Sequence, residues 1–98
     1  MGQQIHSAIR TVTTAGTPVR LSSKKIEARW CNVQALSTNT GNIYLRGIGE
    51  PGGVEIVPTQ SQFFPPMGDA PHYDLKEIHL DAAVNGEGVS LLWYAGDK

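Results

Sequence analysis

The residues with the widest range of chemistry in this chain of 98 residues are three histidines and one cysteine. A metal site requires several ligands that converge on one point. His6, His72 and His79 form neither a His-x-His nor a His-x-x-x-His pair, and Asp81 adds only one carboxylate on the strand face of His79. Cys31 has no second cysteine with which to form a disulfide within the chain. We therefore expect neither a bound metal nor another cofactor.

Nucleophiles and carboxylates do not follow the spacing of catalytic motifs. No serine lies in a Gly-x-Ser-x-Gly sequence, and Cys31 has no nearby base on its own strand face to activate it. Glu77 could act with Asp74 or Asp81 as an acid and base pair, but the same spacing is typical of a hydrated sheet face. The glycine-rich segment 47–53 does not match a phosphate-binding loop. The sequence predicts that the protein is not an enzyme.

Aromatic residues are the remaining candidates for a functional role. Trp30, Tyr44, Tyr73, Trp93 and Tyr94 could stack on sugars or on bases if one sheet face brought them together. Tryptophan and tyrosine are also enriched where two protein surfaces bind each other. We favour packing in the core and at subunit interfaces, and we keep ligand stacking as the alternative.

Apolar residues outside the expected core extend this set. Adjacent Phe63 and Phe64 point to opposite faces of a strand, so one of them leaves the core unless a loop covers it. An extended N-terminal arm over residues 1–8 could add a strand to a neighbouring molecule. The predicted partner interface comprises Ile5, Ile9, Trp30, Tyr44, Phe63, Trp93 and Tyr94.

The elements that must position these residues are short strands. In the segment 74–95, Ile78, Leu80 and Ala82 alternate with polar residues, which is typical of a strand buried on one face. The last strand of this segment, by contrast, is apolar on both faces. Turn formers separate the other strand candidates, which are residues 8–14, 19–22, 26–36, 43–47, 54–57 and 60–64. The pattern predicts an all-β protein, an antiparallel jelly-roll-like β-sandwich of about eight short strands.

Composition and charge restrict the classes of function. A chain of 98 residues fits a single domain, residues 1–98. Charged residues make up 17% of the sequence, against about 25% in a typical domain, and this suits a protein that packs against neighbours. The net charge of −1 shows no nucleic-acid signature. No apolar run has the length of a membrane span, so we expect no membrane contact.

Three segments combine strand patterns with turn formers: VRLS at 19–22, CNVQALSTNTGNIYLRG at 31–47 and NGEGVSLLWY at 85–94. Together they resemble small β-sandwich virion proteins of tailed bacteriophages, of the capsid decoration or cement type. They share strand order, turn placement and composition with that group, and they contain no catalytic motif. The similarity covers roughly residues 18–95, and it transfers no site residue to this chain.

This resemblance implies a mechanical, non-enzymatic function. Copies of the chain would form homodimers or homotrimers and would bridge subunits of the major capsid protein, which stabilises the head through many weak contacts. The protein would fold in the cytoplasm of the host bacterium and then locate to the virion, on the capsid surface. The alternative is a component of a tail, tail tip or fibre with a carbohydrate-binding role. Neither alternative involves nucleic acid or a membrane.

Overall fold

The computed structural model describes residues 5–50, 52–66 and 73–95. No α-helix occurs in these ranges, and the protein is all-β, as the alternating pattern predicts. One short 3-10 helix, η1, spans Leu75–Glu77. The strands are β1 (Ile5–Thr11), β2 (Val19–Arg20), β3 (Glu27–Ala28), β4 (Trp30–Ala35), β5 (Ile43–Gly47), β6 (Val54–Ile56), β7 (Ser61–Phe64), β8 (Tyr73–Asp74), β9 (Ile78–Ala82) and β10 (Gly88–Tyr94).

Most of these strands build two four-stranded sheets. The first sheet has the order β1-β10-β4-β7 and the second has the order β2-β9-β5-β6. Every strand pair is antiparallel. Buried side chains of both sheets belong to one hydrophobic core, so the predicted antiparallel sandwich is confirmed. Strands β3 and β8 form a separate two-stranded ribbon.

The sandwich strands pair in a nested order. The first pairs with the last, β1 with β10, and the inner pairs are β2 with β9, β4 with β7, and β5 with β6. Among these strands only β5 and β6 are consecutive members of one sheet, and the other steps along the chain cross between the sheets. The nested order therefore places residues from both ends of the chain on one sheet face.

The core lies between the inner faces, where alternate residues of each strand point inward. In the first sheet, Val33 of β4 lies opposite Leu91 of β10, and both are buried. In the second sheet, Leu45 of β5 lies opposite Leu80 of β9, and both are again buried. Burying a valine or leucine side chain fully stabilises the fold by about 1.5–3 kcal/mol. These inward pairs fix which face of each sheet remains for contact with other molecules.

A carboxylate fixes the loop between β4 and β5 to the turn before β10. Glu87 accepts hydrogen bonds from the backbone N–H groups of Gly41 at 2.9 Å and Thr40 at 2.7 Å, and from the Thr40 hydroxyl. These bonds favour the ionised form and lower the pKa of Glu87, the Gly41 N–H having the largest effect. The buried amide of Asn39 donates to the Gly88 carbonyl at 2.8 Å and reinforces the same junction.

The first strand begins earlier in the chain than the sequence predicts. It spans Ile5–Thr11, whereas the sequence predicts a strand at 8–14 after a polar arm. His6 and Ser7 pair with Trp93 and Leu92 of β10, and this tertiary pairing outweighs their weak preference for strands. Residues 5–8 of the predicted arm are therefore part of the first sheet, and residues 1–4 of that arm lie outside the described residues.

The long strand predicted at 26–36 is divided into two. The N–H of Arg29 donates to the carbonyl of Tyr94 at 2.7 Å, just before β4 begins at Trp30. The two residues before Arg29 form β3, which leaves the sandwich and pairs with β8. Lys25 beside this ribbon forms exposed ion pairs with Glu27 and with Asp74.

Candidate interaction face

The outer face of the first sheet carries no formally charged side chain among its strand residues. Strand alternation assigns the residues, because those that do not point into the core stand on the opposite side. We call this surface the uncharged face. Its members are Ile5, Ser7, Ile9 and Thr11 of β1, Ser90, Leu92 and Tyr94 of β10, Trp30, Asn32 and Gln34 of β4, and Ser61 and Phe63 of β7.

Large apolar and aromatic side chains cluster at one end of the uncharged face. Ile5, Tyr94 and Trp30 lie directly opposite one another across three neighbouring strands. The Trp30 ring lies 6.4 Å from that of Tyr94, at an interplanar angle of 27°, and 5.9 Å from that of Phe63. Leu92 occupies the next row and is 42% exposed, while Phe63 is 49% exposed. This end of the face is therefore rich in apolar side chains that are open to solvent.

The other end of the uncharged face is mostly polar but still uncharged. Here Ile9 is followed across the sheet by Ser90, Gln34 and Ser61. The side-chain amide of Gln34 donates to the carbonyl of Thr59 at 3.2 Å. Hydroxyl and amide groups of this kind can bind a polar but uncharged partner without the cost of desolvating an ion.

Five of the residues predicted for the interface lie together on the uncharged face. The two isoleucines, Ile5 and Ile9, come from β1, and Trp30, Phe63 and Tyr94 come from the three neighbouring strands. Residues at opposite ends of the chain are thus brought to one surface by the pairing of β1 with β10. Each of the five is exposed or half-buried.

The other two predicted interface residues lie elsewhere. Trp93 points into the core, is 7% exposed, and stacks with His6 at a centroid distance of 5.5 Å. Its ring is therefore a packing element of this chain and is not available to a partner. Tyr44 lies on the outer face of the second sheet, between Glu55 and Asp81 on the neighbouring strands. The structure separates both residues from the uncharged face.

One contributor to the face, Leu92, is missing from the residues predicted by the sequence. It stands near the middle of the sheet, between Ser7 and Asn32. The signal was present, because Leu92 alternates with Tyr94 on the second apolar face of the last strand. The pattern alone could not tell which of the two faces of that strand enters the core.

The outer face of the second sheet differs sharply in chemistry, and we call it the charged face. Its members are Arg20, Tyr44, Arg46, Glu55, His79 and Asp81. Arg20, His79 and Arg46 form one row across three strands. An open depression of about 450 Å³ lies beside this row, and its lining includes Pro18 and Glu50. The carboxylate of Asp81 accepts from the N–H of Gly16 at 3.0 Å, so part of this charge holds a loop.

Other candidate chemistry lies in the core or outside the described ranges. Cys31 is fully buried, and burial raises the pKa of its thiol to about 12. The thiol is therefore protonated and shielded, which makes it a packing group. No cluster of three or more His, Cys, Asp or Glu residues suited to a metal occurs in residues 5–50, 52–66 and 73–95. His72 lies outside these ranges.

Within the part of the chain that the structure describes, no helix is long and apolar enough to cross a membrane. The chain matches no model of a known protein family, no curated protein and no solved structure.

Proposed function

We propose that this chain is a non-enzymatic structural protein that attaches to a larger protein assembly through its uncharged face. The observation that carries the proposal is the cluster of Ile5, Trp30, Phe63, Leu92 and Tyr94 on one solvent-exposed sheet face without a charge. Exposed apolar surface of this kind marks contact sites, and the centre of a protein interface is depleted in charge and enriched in aromatic residues.

The larger assembly that we propose is a phage head. The resemblance of segments 19–22, 31–47 and 85–94 to capsid decoration proteins motivates this assignment. In this account the chain bridges neighbouring subunits of the major capsid protein from the capsid surface. Bridging adds buried area that must be broken before the shell opens. Homo-oligomerisation reinforces it, because each bound copy holds the next one close to its own site.

The nested strand order supports the finer, jelly-roll assignment of the fold. Pairing of the first strand with the last, and of each inner strand with its counterpart, is the arrangement of two interlocked Greek keys. A sandwich of this kind loses little conformational freedom when it binds, because its strands are already ordered. Such a body is well suited to a protein that acts by contact.

Binding to empty heads tests this proposal. Heads assembled from the major capsid protein of the same genome are mixed with wild-type chain, with Phe63→Lys or with Tyr44→Lys, and are sedimented. Phe63→Lys places a charge on the uncharged face and is expected to weaken binding at least about tenfold, since an uncompensated charge is costly to bury. Tyr44→Lys is the matched control on the charged face and is expected to bind like wild type. Loss of binding only with Tyr44→Lys contradicts the proposal.

A second candidate function is binding of neutral carbohydrate, as in a tail tip or fibre. It is favoured by a specific observation, the neighbouring rings of Trp30, Tyr94 and Phe63 beside the amides of Asn32 and Gln34. Aromatic faces stack on sugars, and uncharged amides bond to hydroxyl groups. A glycan array distinguishes the candidates: specific retention that Trp30→Ala abolishes supports carbohydrate binding, and retention of no glycan favours the structural role.

A further inference from the structure

We propose that the outer edge of β1, which is unpaired among the residues that the structure describes, pairs with the same edge of a second copy. Two four-stranded sheets then join into one continuous antiparallel sheet. The inference rests on the proposed function for the existence of a homo-oligomer, and it goes further by naming the contact and its symmetry. The partner is a second copy of this chain, and the contact is made by backbone groups.

The edge formed by β1 differs from the three other edges of the sandwich. It is seven residues long, whereas the edge strands β7, β2 and β6 have four, two and three residues. Each short edge also lies near a proline, which cannot donate a backbone hydrogen bond: Pro65 follows β7, Pro18 precedes β2 and Pro58 follows β6. Proteins protect exposed edges by such means, and β1 contains no proline.

The hydrogen-bond register shows which backbone groups of β1 point outward. Val12 donates to the Glu87 carbonyl at 2.9 Å and accepts from the N–H of Gly86 at 2.7 Å, so Val12 faces the β10 side. In an antiparallel pair, alternate residues direct both backbone groups to the same neighbour. The even-numbered residues of β1 therefore bond to β10. The N–H and C=O groups pointing away from the sheet belong to Ile5, Ser7, Ile9 and Thr11.

This outward row is complementary to itself. When two β1 strands run antiparallel about a twofold axis perpendicular to the sheet and centred at Ala8, Ser7 lies opposite the second copy's Ile9, and Ile5 lies opposite the second copy's Thr11. Each of the four outward residues carries one donor and one acceptor, so about eight hydrogen bonds can form between the copies. The side chains of these residues are uncharged, and none repels its counterpart.

The one charged side chain of β1 bonds to carbonyl groups of its own chain. Arg10 points to the inner side, where its Nε donates to the Leu21 carbonyl at 2.7 Å. Its Nη1 also donates to the Ile9 carbonyl at 3.2 Å. That carbonyl retains a second lone pair for a strand of another copy. An inward charge near an edge can block pairing, but here the guanidinium is fixed by its bond to Leu21.

The predicted dimer has a functional consequence. Because the axis is perpendicular to the sheet, both uncharged faces lie on the same side of the joined sheet. The dimer therefore presents two copies of the apolar cluster to one partner surface. Binding of the first face raises the local concentration of the second, so attachment to a repetitive lattice becomes bivalent.

A backbone substitution with a side-chain control tests the pairing. Ser7→Pro removes an outward N–H without removing a bond to β10, whereas Ser7→Ala removes only the hydroxyl. Light scattering with size-exclusion chromatography is expected to give a dimer for wild type and for Ser7→Ala, and a dimer dissociation constant raised about 100-fold for Ser7→Pro. The pairing is overturned if the wild-type protein is monomeric at about 100 µM. It is also overturned if Ser7→Pro dimerises as tightly as the wild type.

Hydrogen exchange of the wild-type protein gives a second readout, which does not depend on whether Ser7→Pro folds. The amides of Ser7 and Ile9 are expected to be protected in the dimer and to exchange faster on dilution, while the amide of Ala8 stays protected throughout. Rapid exchange of Ser7 and Ile9 in a dimeric sample overturns the edge contact. Phe63→Lys separates this inference from the proposed function, because that variant should remain dimeric while losing its binding to heads.

Discussion

The two outer faces of the sandwich share one architecture and differ in chemistry. The uncharged face displays Trp30, Phe63, Leu92 and Tyr94 with amides and hydroxyls between them. The charged face displays arginines, a histidine and carboxylates, among them Arg46 and Asp81. In both sheets the outer residues alternate with residues that are buried in the same core. Burial within the chain therefore does not explain the difference in charge between the two faces. The charged face is readily hydrated in the monomer, and the proposed contact with another protein would account for the apolar cluster on the uncharged face.

The two tryptophans show the same contrast within a single sheet. Trp93 points inward from β10 and is 7% exposed, whereas Trp30 stands on the outer side of β4 and is half-buried. The two residues belong to neighbouring strands and are close in the register. Trp93 lies opposite Cys31, which follows Trp30, and Trp30 lies opposite Tyr94, which follows Trp93. One residue type therefore serves folding on one side of the sheet and remains available for contact on the other.

Substitution of the tryptophans should produce the largest effects. Trp93→Ala removes a buried ring from the core and is expected to lower the free energy of unfolding by about 3–5 kcal/mol. Trp30→Ala removes a ring from the surface and should cost less than about 1 kcal/mol in the isolated chain. Urea denaturation followed by circular dichroism measures both values. Equal losses would remove the distinction between the two sides of the first sheet.

A lysine at the centre of each face should sharpen the comparison. Leu92→Lys is expected to change stability by no more than about 0.5–1 kcal/mol, because its side chain is already 42% exposed. It should nevertheless abolish binding of the hydrophobic dye ANS to the native protein. The matched variant Tyr44→Lys should leave dye binding unchanged. Unaltered dye fluorescence with Leu92→Lys would indicate that the apolar cluster is not the exposed surface described above.

The salt dependence of assembly gives a smaller effect that also distinguishes the faces. Contacts through the uncharged face involve no ion pairs, so affinity for the partner assembly should change less than about threefold between 0.05 M and 0.5 M NaCl. Contacts through Arg20, Arg46 or Asp81 would weaken over the same range as screening increases. Titrations at several salt concentrations measure the slope, and a steep decline would assign binding to the charged face.

Acid should loosen the loop junction at Glu87, with the smallest effect of the series. The folded-state pKa of Glu87 lies below its ordinary value of 4.5 because the N–H groups of Gly41 and Thr40 bind the carboxylate. Its contribution to stability is therefore complete above about pH 4.5 and is lost as the pH falls through the lower, folded-state pKa. Glu87→Gln should flatten this part of the curve of melting temperature against pH. An unchanged curve would show that the junction does not depend on this carboxylate.

The sequence could predict the strands but not the full assignment of their faces. The alternation of apolar residues predicts β4, β5, β9 and β10, because each of these strands has at least one plainly apolar face. In β10 both faces are apolar, so periodicity alone could not decide whether Trp93 or Tyr94 enters the core. Likewise, nothing local in His6 and Ser7 indicates a strand, because β1 is specified by its pairing with the distant β10.

The sequence could predict which types of residue belong to the candidate site, but it could not predict that they lie together on one surface. Trp30 and Tyr94 were predicted because tryptophan and tyrosine are enriched at interfaces. Phe63 was predicted because adjacent phenylalanines point to opposite faces of a strand. Their proximity follows from the sheet order β1-β10-β4-β7, which a strand pattern does not encode. The same order gives Leu92 its place in the cluster and places β1 at the edge of its sheet among the described strands. Long-range pairing, rather than local preference, therefore creates the proposed function.

A density map of the partner assembly with this protein bound is the most direct test of the account. In that map the side chains of Trp30, Phe63, Leu92 and Tyr94 are expected to lie against the partner, while Arg46 and Asp81 face solvent. A map in which the second sheet contacts the partner, and the aromatic cluster is open to water, would contradict it.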